Sequence, residues 1–193
     1  VHLNTLVVLH GHAVTRLDEN LAAHTGFADN GTLRVQPGGD ATAVLSDVAS
    51  FATGAMALCG TVLGAAPPAP FVHVLLDDGT LANSLLPANS STIGWQATAA
   101  SAGRLVDRCA FQGSRLVLLG REERGTSGAE HAVILARIST ADGELDSLLY
   151  GNGSRVCVEC APDNAHVQPL AALVLTNDIV AVSALGQGGD GGD

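Results

Sequence analysis

Apolar residues fall in short blocks of four to eight, separated by Gly, Pro, Asn, Asp and Ser, the spacing of strands and tight turns. Leu6-Val-Val-Leu9 stops at Gly11, and Ala13 to Leu17 ends at Asp18. Further strands are predicted at Leu33–Val35, Ala41–Val48, Ala55–Cys59 and Phe71–Leu76, then at Ile93–Gln96, Arg104–Phe111, Leu116–Leu119 and Ala132–Ile138, and last at Val156–Glu159, Val167–Leu175 and Ile179–Ala184. Ala65-Ala-Pro-Pro-Ala-Pro70 reads as a loop, because proline interrupts a sheet ladder. Propensity alone would permit helix at Ala41–Phe51 and Leu170–Leu175. The repeat described next overrules it, because the aligned segment Leu105 to Phe111 carries Val, Cys and Phe at strand spacing.

Leu45 to Gly60 aligns without a gap on Leu105 to Gly120, at a shift of about 60 residues. Leu45 meets Leu105, Asp47 meets Asp107, Phe51 meets Phe111 and Gly60 meets Gly120. A third copy spans Gln168 to Ser183. The turns repeat as well: Asp18-Glu-Asn-Leu21, Asp78-Gly-Thr-Leu81 and Asp142-Gly-Glu-Leu145 share the form Asp-X-X-Leu after an apolar run. A corner of small residues follows each, containing Asn30, Asn89 or Asn152.

Four short strands in a unit of about 60 residues is the arithmetic of a β-propeller blade. Runs that are nearly all apolar suit strands covered on both faces by neighbouring blades. The predicted fold is therefore all-β, in propeller-like blades of four antiparallel strands; a β-sandwich is the alternative. Residues 1–31 are read as the third and fourth strands of one blade, 32–91 and 92–154 as full blades, 155–187 as three strands of another, and 188–193 as a flexible Gly/Asp tail. That is about three repeats, short of the roughly four to eight a closed ring needs. Further blades or neighbouring chains are expected to complete the array.

Val133-Ile-Leu-Ala-Arg-Ile138, Asp142-Gly-Glu-Leu-Asp146 and Gly151-Asn-Gly153 together resemble the delta-60 repeat, which builds β-propellers in bacterial secreted and surface proteins. Ser114-Arg-Leu-Val-Leu-Leu-Gly120 and Asn177-Asp-Ile-Val-Ala-Val182 are similar to its other signature. The aromatic that precedes the glycine corner in that family is present as Phe27 and Tyr150 and is replaced by Leu86-Pro87 in the middle copy. The Asp after the turn leucine is kept at Asp146 and is Ala at positions 22 and 82. The resemblance implies a propeller fold and no defined activity.

Composition changes the picture in two ways. Hydrophobic residues make up 47% of the 193 but aromatics only 3%, so the core must be built from Ala, Val and Leu. The net charge of −10 argues against nucleic acid and against anionic lipid, both of which call for basic surfaces. No apolar stretch approaches the length of a membrane span. Met56 is the only methionine, so Val1 reads as a processed terminus or the start of a fragment.

Candidate chemistry is thin. Cys157-Val-Glu-Cys160 has the spacing of half a zinc site or a redox pair, but no second Cys-X-X-Cys exists. A disulfide, local or to another strand, and free thiols remain open for these two. Cys59 and Cys109 fall on strands of adjacent units and are candidates to pair with each other. His10-Gly-His12 lies at a tight turn, where solvated histidines are ordinary; His73 and His131 share no repeat position with them. No Gly-X-Ser-X-Gly elbow is present. Asp47 and Asp107 are expected to be structural carboxylates that accept backbone N–H bonds at a bend or between blades. Asp18, Asp78 and Asp142 are expected to shape the turns. Asn30, Asn89 and Asn152 all head acceptor sequons, though Asn-Gly is also what such a corner needs. The expectation is a non-catalytic extracellular or cell-surface module for structure, adhesion or assembly, with no cofactor. The alternatives are the propeller domain of a secreted enzyme with its site in the channel, and an architectural subunit of a filament.

Overall fold

The structure is a computed structural model that describes residues 6–35, 43–51, 53–62, 69–85, 104–124, 130–140, 146, 154–157, 166–174 and 180–187. Every regular element among them is a β-strand. β1 (Leu6–His10), β2 (Ala13–Leu17) and β3 (Thr32–Arg34) form a three-stranded sheet. β4 (Ala43–Ser50), β5 (Met56–Val62), β6 (Ala69–Leu75) and β7 (Leu81–Leu85) form a four-stranded sheet in sequence order. β8 (Arg104–Gln112), β9 (Arg115–Arg124), β10 (Glu130–Ser139) and β11 (Ser154–Cys157) form another, and β12 (His166–Val174) pairs with β13 (Val180–Gln187) as a hairpin. All pairings are antiparallel, which lets two residues join β1 to β2 and β8 to β9.

The sheets stack face to face, and β5 shows why. Its seven residues are all buried. Met56, Leu58 and Val62 join a core with Val14, Phe27 and Val35 of the first sheet and its loops. Ala57 and Cys59 point the other way, into a core with Val106, Cys109, Leu116, Leu118, Ile134, Ala136 and Ile138 of the third sheet. A strand with period-two side chains and apolar residues on both faces must be covered on both sides. A two-layer sandwich leaves each sheet a solvent face; β5 is covered on both, although Val44 on β4 and Leu81 on β7 are exposed. β9 repeats the arrangement: Leu116 and Leu118 face the β4–β7 sheet, Val117 and Leu119 are also fully buried, and β12 lies against β8, β9 and β10.

Strand grouping differs from expectation by one strand. Thr32–Arg34 is expected to open the unit 32–91, yet β3 pairs with β2. Likewise β11 pairs with β10 rather than opening a new unit at residue 155. Leu81–Leu85, read as part of a corner, is the fourth strand β7. Pro70, placed in a loop, is the second residue of β6 opposite Thr61. Ile93–Gln96 lies outside the described residues. Hydrophobic pattern locates a strand but does not say which edge it pairs with; the turn before it decides that.

The gapless alignment of residues 45–60 on 105–120 conceals a compensated shift. Both hairpins carry a bulge opposite equivalent residues: Leu45 pairs with Gly60 and Asp47 with Cys59, while Val106 pairs with Gly120 and Arg108 with Leu119. The extra residue is thus Ser46 in β4 but Asp107 in β8. Three residues lie between the turn-closing pair Phe51 and Ala55, and two between Gln112 and Arg115. One residue gained in the turn is lost from the strand. β12 has a bulge of its own between Pro169 and Ala171.

Candidate functional site

The seam between the β4–β7 and β8–β11 sheets holds the densest set of specific interactions. Cys59 on β5 and Cys109 on β8 form a disulfide, Cα–Cα 6.4 Å, buried between the sheets. Beside it, Asp47 accepts from Val48 N (2.9 Å, Oδ1) at the bulge and from Cys109 N of the next sheet (2.9 Å, Oδ2). Thr61 Oγ1 accepts from Val106 N (3.1 Å). Phe51 and Phe111 stack edge to face across the same seam, with ring centroids 5.2 Å apart. Asp107, as the bulge residue, is turned to its own sheet: its carboxylate takes both Nε and Nη2 of Arg121 at 2.9 Å. The one-residue difference in bulge position therefore separates two aspartates that the sequence aligns. Each bulge leaves backbone groups off the ladder, and the side chains named here satisfy some of them.

A second set joins the first sheet to the β4–β7 sheet. Arg16 on β2 is 2% exposed and reaches across to Asp77, with Nη1 2.6 Å from the backbone oxygen and 2.5 Å from Oδ1. The Asp77 carboxylate also lies against Gly54, whose φ of +90° and lack of a Cβ permit the approach. Ala28 N donates to Asp78 O (2.7 Å), and buried Phe27 packs beside Gly79, so the corner after β2 docks on the Asp78–Gly79 turn. His24, Gly26, Thr53, Ala55, Leu76, Asp77 and Asp78 line an open cleft of about 390 Å³ at this junction.

Turn residues behave as Asx turns. Asp18 Oδ1 accepts from Asn20 N (2.8 Å) and Ala22 N (3.0 Å); Asp78 Oδ1 accepts from Thr80 N (2.8 Å). The Thr80 backbone bond, foremost, holds the Asp78 carboxyl below the usual aspartate range. Asp142 lies outside the described residues. Asn30 is exposed, with φ +50°, and is followed by Gly31 at φ +90°, where a Cβ would meet Ala23. Asn89, Asn152 and Cys160 lie outside the described residues; Cys157 is placed on β11.

Several buried polar residues carry no obvious sequence signal. His73 is buried on β6, its ring 5.3 Å from that of Phe71, and burial lowers its pKa from the ordinary 6.5. Asp146 is buried between Arg137 Nε (2.7 Å, Oδ2) and Arg115 Nη1 (2.7 Å, Oδ1), and Arg137 Nη1 donates to Gln112 Oε1 (2.8 Å). One clue was present: Arg16 and Arg137 each interrupt an apolar strand one residue before its last hydrophobe, in Val14-Thr-Arg-Leu17 and Leu135-Ala-Arg-Ile138. Where the Asp after the turn leucine exists, at Asp146, the arginine pairs within its own sheet. Where it is Ala22, the arginine reaches into the next sheet instead.

Chemically, Asp47, Thr61, Arg16 and the disulfide join sheets, whereas Asp107 and Asp146 hold arginines of their own sheet. His10 and His12 sit exposed at the β1–β2 turn, and His10 Nε2 lies 2.9 Å from Thr15 Oγ1. Among the described residues no three His, Cys, Asp or Glu side chains gather closely enough to hold a metal ion. No helix long and apolar enough to cross a membrane occurs among the described residues. No protein-family model matches the chain, and no curated protein matches its sequence.

Proposed function

We propose that the chain is a β-propeller segment of the delta-60 type, acting as a non-catalytic extracellular or cell-surface module whose task is structure, adhesion or assembly. The observation that carries this reading is the stack itself: antiparallel sheets packed face to face, with β5 buried on both sides and a disulfide across one seam. Blades pack in that way around a propeller axis. Asp47, Thr61 and Arg16 are spent on joining successive sheets, which favours a mechanical role. A buried disulfide between Cys59 and Cys109 suits an oxidising compartment.

Thiol trapping in the native cell, combined with fractionation, tests the reading. The expected result is a protein at the surface or in the medium, with Cys59 and Cys109 protected from alkylation until reduced. A cytosolic protein with both thiols free would overturn it.

A further inference from the structure

The two seams of the β4–β7 sheet are built differently. On the third-sheet side the Cys59–Cys109 disulfide ties β5 to β8, and Asp47 and Thr61 take backbone N–H groups of β8. On the first-sheet side residues 1–58 contain no cysteine, so that sheet has no thiol to form such a bond. An apolar core holds this seam, together with buried Arg16 on Asp77 and Ala28 N on Asp78 O.

A histidine sits in that core. His73 alternates with Phe71 and Leu75 along β6 and pairs with Leu58 on β5, and these three belong to the core shared with the first sheet. Val72 and Val74 carry the opposite face, toward β8. The His73 side chain therefore turns to the first sheet. It is 7% exposed, and its buried Nδ1 meets no hydrogen-bond partner among the described residues. The residues that β1, β3, β4 and β5 send into this core are apolar, and Ser84 is the partner of His73 on β7. Arg16 on β2 is the charged side chain buried at the seam, and its partner Asp77 stands on the exposed turn after β6 with Asp78. His24 lies over Gly26 in the corner after β2. His10, His12 and Arg34 are exposed, and Asp47 on β4 is engaged at the other seam. Burial accordingly holds the pKa of His73 below the ordinary 6.5.

We propose that this seam is an acid-sensitive joint: protonation of His73 releases the β1–β3 sheet from the β4–β7 sheet, while the disulfide holds β4–β7 on β8–β11. Neutral His73 fits an apolar seam. The imidazolium would be a second cation there beside Arg16, and it regains hydration only when the sheets part. A released sheet with strands of five, five and three residues has lost the cover of its apolar face and unfolds. Opening bares Met56, Leu58, Phe71 and Leu75, an apolar surface displayed in acid and hidden at neutral pH. The joint depends on the two seams alone and needs neither a closed ring nor a particular compartment.

Met56, the only methionine, reports on the joint, because it lies in that seam at 1% exposure. The test follows its oxidation by hydrogen peroxide in the 193-residue chain at pH 7.5 and 5.5, by mass spectrometry and normalised to free methionine. That interval lies above the ordinary carboxylate range and isolates the histidines. An imidazole that stays neutral in the closed seam and titrates at 6.5 in the open one makes opening about tenfold more frequent across it, so Met56 oxidation should rise about tenfold. His73→Leu and His73→Gln, neutral at both pH values, should change less than about twofold, whereas His24→Gln should respond as wild type does. Far-UV circular dichroism and urea midpoints at pH 7.5 verify that the variants fold. Hydrogen exchange of wild type at the same two pH values should show protection falling in β1 to β3 and unchanged in β9 and β10. Equal Met56 rates at the two pH values in wild type would overturn the proposal. So would an undiminished acid response in the His73 variants, its loss in His24→Gln, or exchange that rises equally in β9 and β10.

Discussion

Cutting the Cys59–Cys109 bond should cost this fold a large share of its stability. The bond spans 50 residues of sequence and links β5 to β8, so it closes a loop containing most of the β4–β7 sheet. The loop-closure entropy removed from the unfolded chain at that length is worth about 4 kcal/mol at 25 °C. Domains of this size are stable by about 5–15 kcal/mol in all. The sulfurs lie in the core between two sheets, so substitution by Ala adds a small packing loss, whereas Ser would also bury hydroxyls that need partners. With a urea m-value of about 2 kcal/mol/M, the midpoint of Cys59→Ala/Cys109→Ala should fall by about 2 M. Urea titration followed by far-UV circular dichroism measures it, with and without dithiothreitol. Reductant should lower the wild-type midpoint by a similar amount and should not lower that of the double variant further. A double variant within about 0.3 M of wild type would refute the reasoning, because it would mean that the bond does not close this loop in the folded chain.

Other substitutions probe the remaining joints. Asp47→Ala removes the acceptor of Val48 N and Cys109 N and should cost about 1–3 kcal/mol by chemical denaturation, with Asp47→Asn recovering part of it. Asp77→Ala strands the buried Arg16 guanidinium and should cost about 2–3 kcal/mol, less than a wholly buried pair because the Asp77 carboxylate is 58% exposed; Arg16→Met should cost less than Asp77→Ala. For His73, the folded-state pKa lies below 6.5, so the unfolded chain binds the extra proton as pH falls. Its stabilising share is present in full above pH 6.5 and is lost on acidification toward the depressed folded value. Thermal midpoints of wild type should therefore drop between pH 7.5 and 5.5 more steeply than those of His73→Leu; equal slopes would contradict this.

The sequence made strands and turns legible because both have local causes. Apolar blocks bounded by Gly11, Asp18 and Asp78 end in turns in the structure, whereas Gly60, expected just beyond the strand Ala55–Cys59, lies within β5, which runs on to Val62. Sheet membership was not legible for β3 and β11, since a three- or four-residue strand carries no information about its partner. Nor was the bulge offset: Asp47 and Asp107 align perfectly, and only the one-residue difference between their turns gives them separate tasks. Cys59 with Cys109 was among the open pairings, because both fell on strands of adjacent units. Arg16 and Asp77 are 61 residues apart in sequence and meet only because a corner of one sheet docks on a turn of the next. Long-range pairs of that kind require the stack to be known first.

The stack can be tested through the single methionine. Met56 is 1% exposed and shares its core with Val14 and Phe27, on the first-sheet side of β5. Ile134 and Ile138 belong to the core on the other side, with Ala57 and Val72. Methyl-labelled NMR gives Met56 one resolved signal. The expected nuclear Overhauser contacts run from the Met56 methyl to the first-sheet residues Val14 and Phe27, and from Ile134 and Ile138 to Ala57 and Val72. Contacts from Met56 to Ile134 or Ile138, or none to the first sheet, would contradict a β4–β7 sheet covered on its two faces by different neighbours.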